Sequence, residues 1–147
     1  METKTLTSTL SVSAQIAVTD ISQIVRAGFK AIICNRPDDE GSDQPGFHEI
    51  EAAADLACLP IRYLPAESGR VTDQHGVSFG QLMDELPKPI LAYCRTGMRS
   101  TTMWALSQAG KVPFPQIIEA AAKAGFDLRS LVPRITNGGK TPVSELN

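Results

Sequence analysis

Tyr93-Cys94-Arg95-Thr96-Gly97-Met98-Arg99-Ser100 gathers the residues best suited to do chemistry in this chain. An apolar run, Ile90 to Tyr93, leads straight into Cys94, and a helical pattern starts about five residues later. The loop between them ends at a helix N-terminus, whose first N–H groups have no partner inside the helix. Successive amides in such a loop make an anion-binding nest. Gly97 permits a backbone angle that a Cβ would forbid. Arg95 and Arg99 add positive charge. Dipole, amides and guanidinium all favour Cys94 as the thiolate, which is the attacking form. Backbone amides from Arg95 through Thr96, Gly97 and Met98 to Ser100 would cradle a charged adduct on its sulfur. Arg99 can grip an anionic substrate bidentately, while Arg95 widens the attractive field.

The other thiols and imidazoles read differently. Cys34 and Cys58 lie in apolar patterns without basic neighbours, as core thiols do. Three cysteines with no C-x-x-C pair argue against a disulfide framework or a Cys-rich zinc site. With only His48 and His75 besides, both read as surface residues, a tetrahedral metal site is hard to assemble. No cofactor is expected. A reducing cytoplasm is the expected compartment, because a cysteine stays a thiolate there.

The elements that must position Cys94 alternate between strand and helix. Thr9–Gln15 alternates and predicts a short edge strand. Thr19 or Asp20 can cap a helix carrying Ile21, Ile24, Val25 and Phe29, stopped near Gly28. Ala31–Cys34 reads as a buried parallel strand, ended by Asn35-Arg36-Pro37. Phe47–Leu59 predicts a helix, Ile61–Leu64 a strand, and Asp73–Leu86 an amphipathic helix with Val77, Phe79, Leu82 and Met83 inward. Pro89–Tyr93 is a strand, and Ser100–Gln108 a helix in which Met103, Trp104 and Ala105 pack the core. Phe114–Leu131 predicts one or two helices broken near Gly125, with Phe114, Ile117 and Ile118 facing the sheet or a partner. Residues 1–132 form one domain, and 133–147 a flexible polar tail. Such alternation implies a three-layer α/β/α fold around a mostly parallel sheet of four or five strands. Its ligands bind outside the carboxyl ends of the strands. Asn35-Arg36, Pro65 to Glu67, and Cys94 are the ends that converge there.

Size and charge set the outer bounds. A chain of 147 residues is one domain at roughly 100–200 residues each. It buries about 70% of its unfolded surface without needing a staple. Apolar residues make up 42% and charged residues 20%, a globular composition. A net charge of -2 gives no global reason to expect nucleic acid as a partner. No apolar run is long enough to span a membrane, and Met1-Glu2-Thr3-Lys4 opens on a polar stretch unlike a secretory signal.

Cys94-Arg95-Thr96-Gly97-Met98-Arg99-Ser100 resembles two known cysteine loops. Protein tyrosine and dual-specificity phosphatases use C-x5-R with a Gly at the third position after Cys. Rhodanese sulfurtransferases use C-x4-R. Here Gly97 is third, but Arg99 is fifth, which gives C-x4-R. A phosphate needs donors around three oxygens, whereas a persulfide presents one terminal sulfur, so the shorter ring favours the smaller guest. Ser13-Ala14-Gln15, Gly28-Phe29-Lys30 and Asn35-Arg36-Pro37-Asp38, in that order with the Cys94 loop, widen the resemblance. Over residues 5–131 the chain is similar to small bacterial proteins of dual-specificity-phosphatase-like fold. They include the phosphatase-like domain fused to beta-lactamase-hydrolase-like proteins, whose other half is a persulfide dioxygenase.

The resemblance implies roles. Ser100 would hydrogen-bond the Cys94 sulfur, as the residue after the loop Arg does in phosphatases. A phosphatase takes an Asp from the loop after the preceding strand as general acid. This chain offers Glu67 there and Asp73 further on, with Asp38, Asp39 and Glu40 in the other loop, none in an acid motif. Arg36 pairs with that acidic cluster or binds an acidic substrate. The expectation is a sulfurtransferase carrying sulfane sulfur on Cys94, from a small anionic donor such as thiosulfate to a thiol such as glutathione. A persulfide dioxygenase would be a further partner. The alternative is a protein tyrosine or dual-specificity-phosphatase-like hydrolase acting on a phosphate ester through a Cys94 phosphoenzyme. A third class is an anion-binding or redox-sensing module.

Overall fold

The computed structural model describes residues 1–145. Five strands form one sheet: β1 (Thr3–Thr7), β2 (Leu10–Ser13), β3 (Ala31–Cys34), β4 (Ile61–Tyr63) and β5 (Ile90–Tyr93). Their spatial order is β1-β2-β5-β3-β4. β2, β5, β3 and β4 run parallel, and β1 turns back antiparallel on β2. The Thr9–Gln15 segment, expected at the edge, is therefore interior. β1 shields it, although only Leu6 of that strand is buried. Sequence reading missed β1 because a strand with a single buried side chain lacks the apolar alternation that marks one.

Strict alternation along β3 and β5 builds a core on each face of the sheet. Ile32, Cys34, Leu91 and Tyr93 face α1 (Ile21–Arg26) and α2 (Phe47–Leu56). Ala31, Ile33, Ile90 and Ala92 face α3 (Asp73–Glu85), α4 (Met98–Gln108) and α5 (Phe114–Lys123). This is the expected three-layer α/β/α architecture. Trp104 and Met103 lie in the core, as their spacing predicted. Val77, expected to face inward, is half exposed because Gly76 and Gly80 form the face of α3 that meets α4. Cys58 is exposed rather than buried. It follows α2 at φ 57°, a left-handed turn that points its side chain away from the core. Among the described residues no helix is long and apolar enough to cross a membrane.

Of the stretch 133–147, expected as a flexible tail, residues up to Thr141 are folded onto the body, and 146–147 lie outside the described residues. α6 (Val132–Ile135) buries Ile135, and the following turn lies against α4. Gly139 makes this approach possible. It sits at φ 83°, and a Cβ there would stand 2.6 Å from the Leu106 carbonyl oxygen. Thr141 then donates from its N–H and its hydroxyl to Asp73 at 2.8 and 2.9 Å. Apolar content was too sparse to reveal these contacts, which are mostly polar or backbone. Gly139→Ala is expected to lower stability in urea unfolding by about 2 kcal/mol or more, from left-handed strain plus overpacking. Gly138→Ala, with no atom within 4 Å of its Cβ, should have the smaller effect.

Candidate active site

The carboxyl ends of β2, β3, β4 and β5 stop at one level, and Asn35 ties the ends of β3, β4 and β5 to α4. Its backbone N–H donates to Tyr93 and its carbonyl accepts from Ala66. Its side-chain amide donates to the Leu64 carbonyl at 2.9 Å. Its Oδ1 accepts from the Ser100 hydroxyl at 2.8 Å. Asn35 and Ser100 are both fully buried. The expected Ser100 bond to the Cys94 sulfur is thus replaced by one that anchors α4 to β3. Ser100 sits two residues inside α4, which begins at Met98 rather than Ser100, and its side chain turns toward the sheet.

Cys94 emerges from β5 on the α4 side and is buried at the loop floor. The Gly97 amide donates to its sulfur at 3.0 Å. This is the bond a loop closing on a helix N-terminus is built to make. Gly97 stands at φ 99°, and an added Cβ would meet the Phe126 ring at 2.9 Å. The Cys94 amide bonds the Ser13 carbonyl, and the Gln15 amide bonds the Arg95 carbonyl, both at 3.4 Å. The loop is thereby held by β2 as well as by β5.

Arg99 is buried in the first turn of α4, with three of its guanidinium donors engaged. Nη1 donates to Glu40 at 2.6 Å and to the Ala66 carbonyl at 2.9 Å, and Nη2 donates to Glu40 at 2.8 Å. Glu40 also accepts from Arg36 Nε at 3.0 Å. Arg36 donates as well to Gln15 Oε1 at 3.1 Å. One carboxylate therefore serves two buried cations. The Arg99 hydrogen bond, with that of Arg36 behind it, holds the Glu40 carboxyl below its ordinary value of 4.5 against the opposing effect of burial. The same bond raises Arg99, burial opposes, and the nearby Cys94 sulfur adds to the rise. Arg36 takes the structural pairing with the acidic loop that its position suggested. Glu40, one of the acid candidates, is instead the orienting partner of Arg99, a role visible only once the two loops meet.

Glu67 does not approach as an acid would. It is exposed, and its nearest cation is Arg70 at 3.6 Å. Asp73 caps the far side of the site by pairing with Arg134 at 2.8 Å. Asp38 accepts the Phe47 amide, closing its own loop, and Asp39 is a surface residue at φ 63°. His75 completes a cap with Thr72, while its Nε2 lies 3.0 Å from the Pro65 carbonyl. His48 is 92% exposed at its side chain. Cys34 is buried, and that burial pushes its thiol up to about 11. It lies on the opposite face of the sheet from Cys94.

A cavity of about 490 Å³ opens over the Cys94 loop. Arg95, Thr96, Met98 and Arg99 form its floor, and Ser68, Gly69 and Val71 one wall. Ser130, Leu131 and Arg134 form the other wall, which sequence reading had left out of the site. No carboxylate or imidazole lines it among the described residues.

A model of the phosphatase-like domain of beta-lactamase hydrolase-like proteins matches residues 2–111. A beta-lactamase hydrolase-like protein from Agrobacterium fabrum is 31% identical over 121 residues, 81% of this chain but 28% of that protein. The chain thus spans under a third of that relative's length. The crystal structure of a proposed phosphatase from Neisseria meningitidis superposes with a TM-score of 0.82 at 34% identity, over 92% of this chain and 96% of that one. Pseudomonas aeruginosa TpbA in complex with phosphotyrosine shares the fold, with a TM-score of 0.53 at 20% identity over 90% of this chain and 70% of that one.

Removing the Glu40 charge leaves two largely buried guanidinium groups without their partner. Glu40→Gln is expected to cost about 2 kcal/mol in urea unfolding, less than a fully buried pair because Glu40 keeps some contact with water. A carboxyl lowered in the folded state stabilises fully above its unfolded value and less as pH falls through the folded one. The melting temperature of the wild type should therefore drop below pH 4.5. Glu40→Gln should drop less over the same range.

Proposed function

The chain belongs to the family of phosphatase-like domains of beta-lactamase hydrolase-like proteins, and from that premise we propose that it is a phosphatase-like hydrolase with Cys94 as nucleophile. The observation that carries the reading is the 3.0 Å bond from the Gly97 amide to the Cys94 sulfur, with Arg99 fixed beside it. A thiolate stabilised this way attacks the phosphorus of a bound monoester. The S–P bond forms as the P–O bond to the leaving group breaks. Loop amides and Arg99 hold the phosphoryl oxygens as charge shifts between them. Water then cleaves the S–P bond, releasing phosphate and returning the thiol. The phosphotyrosine held by TpbA on a related fold supports a phosphate ester as substrate.

The cavity lining restricts which esters react. With no acid lining it, the leaving oxygen departs as its anion and takes a proton from water. Aryl phosphates, whose phenolates leave readily, are the favoured class, and alkyl phosphates are poor.

The same missing acid favours a second reading, sulfur transfer, together with the C-x4-R spacing. Cys94 thiolate would attack the outer sulfur of thiosulfate, the S–S bond would break, and sulfite would leave with the electron pair. A second thiolate, such as glutathione, would take the terminal sulfur and restore the Cys94 thiolate. Neither leaving group needs a proton.

One experiment separates the two. Wild type is assayed with an aryl phosphate, and its intact mass is read after exposure to thiosulfate. Saturable aryl phosphate turnover, lost in Cys94→Ser and unchanged in Glu67→Gln, is the expected result. Gain of one sulfur at Cys94, removed by glutathione, with no phosphate release, would overturn the hydrolase reading in favour of the sulfur carrier.

A further inference from the structure

Arg134 reaches the cavity from α6, beyond the residues that the family model matches. Its position is fixed by one nitrogen. Nη2 donates to the Val71 carbonyl at 3.0 Å and to Asp73 at 2.8 Å. Its Nε is buried and has no hydrogen-bond partner among the described residues. Asp73 is itself held by Thr141 through two hydrogen bonds, so the guanidinium is braced from behind. Arg95 enters the same cavity from the Cys94 loop, exposed and outside every described ion pair. Hydroxyls of Ser68, Thr96 and Ser130 lie among the lining side chains. Asp73 offsets part of the Arg134 charge, but Arg95 has no such partner. The cavity is therefore basic beyond what a single phosphoryl group at Arg99 requires.

We propose that Arg134 and Arg95 form a second anion subsite, and that the preferred substrate carries a second oxyanion, a carboxylate or phosphate, remote from the group that Cys94 attacks. This rests on the reading of Cys94 as nucleophile toward an anionic substrate and adds the class of substrate. A braced guanidinium whose Nη1 is bonded to no described residue and is not among the buried atoms meets a planar or tetrahedral oxyanion with little further ordering. A neutral substrate tail packed over that nitrogen would leave it unpaired.

The probes are 4-ethylphenyl phosphate and 4-(2-carboxyethyl)phenyl phosphate, which differ in the remote carboxylate and hardly in the acidity of the phenol. Wild type should show a kcat/KM about tenfold higher for the carboxylate, the size of one charge-assisted hydrogen bond, and mainly through KM. Arg134→Gln should bring the two toward parity, with Arg95 supplying what preference is left. Asp73→Asn, which removes the brace but keeps the cation, should retain the preference. Parity in wild type overturns the proposal, and so does a preference undiminished in Arg134→Gln. A loss in Asp73→Asn as complete as in Arg134→Gln overturns it too, since Arg134 would then act only as a structural partner. Calorimetric titration of Cys94→Ser with both probes reads affinity without turnover. If wild type hydrolyses neither probe, the hydrolase reading fails on its own. Tighter binding of the carboxylate probe that shrinks in Cys94→Ser/Arg134→Gln still sustains the subsite, and equal or absent binding overturns it.

Discussion

The buried amide of Asn35 is the constraint on which the site depends. It stands at the end of β3, where side chains alternate faces, one residue beyond Cys34 and level with Cys94. Because it is fully buried, each of its polar groups needs a partner, and it finds them in the segment just after β4, on β5 and on α4. Four separate segments are thereby locked at the same height. An apolar residue of the same size would fill the space but fix none of the four. The Cys94 loop inherits its geometry from that lock, since Ser100 sets where α4 begins its first turns.

Charge is arranged around the same point with equal economy. Glu40 lies between Arg36 and Arg99 and pairs with both, which allows two guanidinium groups to be largely buried near the Cys94 sulfur. Only one of the two cations is neutralised by Glu40, so a net positive charge remains beside Cys94. That excess favours an anion in the cavity before any contact is made. The absence of an acid among the lining residues leaves leaving-group chemistry to the substrate. With the C-x4-R spacing it pulls toward sulfur transfer, while family and fold pull toward the phosphatase-like description.

The cavity has two origins. Its floor comes from the segment matched by the family model, and one wall comes from residues after 111. The floor brings the Cys94 loop to the cavity, and the wall brings Arg134. Gly139 and the Asp73 contacts hold that wall in place. A short polar segment thus shapes the site while adding little to the core.

Much of this was legible along the chain. Apolar runs of four residues marked β3 and β5, and the Cys94–Arg99 segment marked the loop and its glycine. Those signals are local, because strand alternation, helix periodicity and the demand for φ above zero at Gly97 are written in neighbouring residues. The partner of Arg99 was not legible, nor the partner of Ser100, nor Arg134 in the cavity wall. Each depends on where distant segments meet, as Glu40 does with Arg99 and Val71 with Arg134. A hydrogen bond across such a distance leaves no periodicity, so only the tertiary structure decides it. Sequence alone pointed to Cys94 and its basic, glycine-bearing loop as the candidate site. The packing of the loops and of α6 decided which groups surround it.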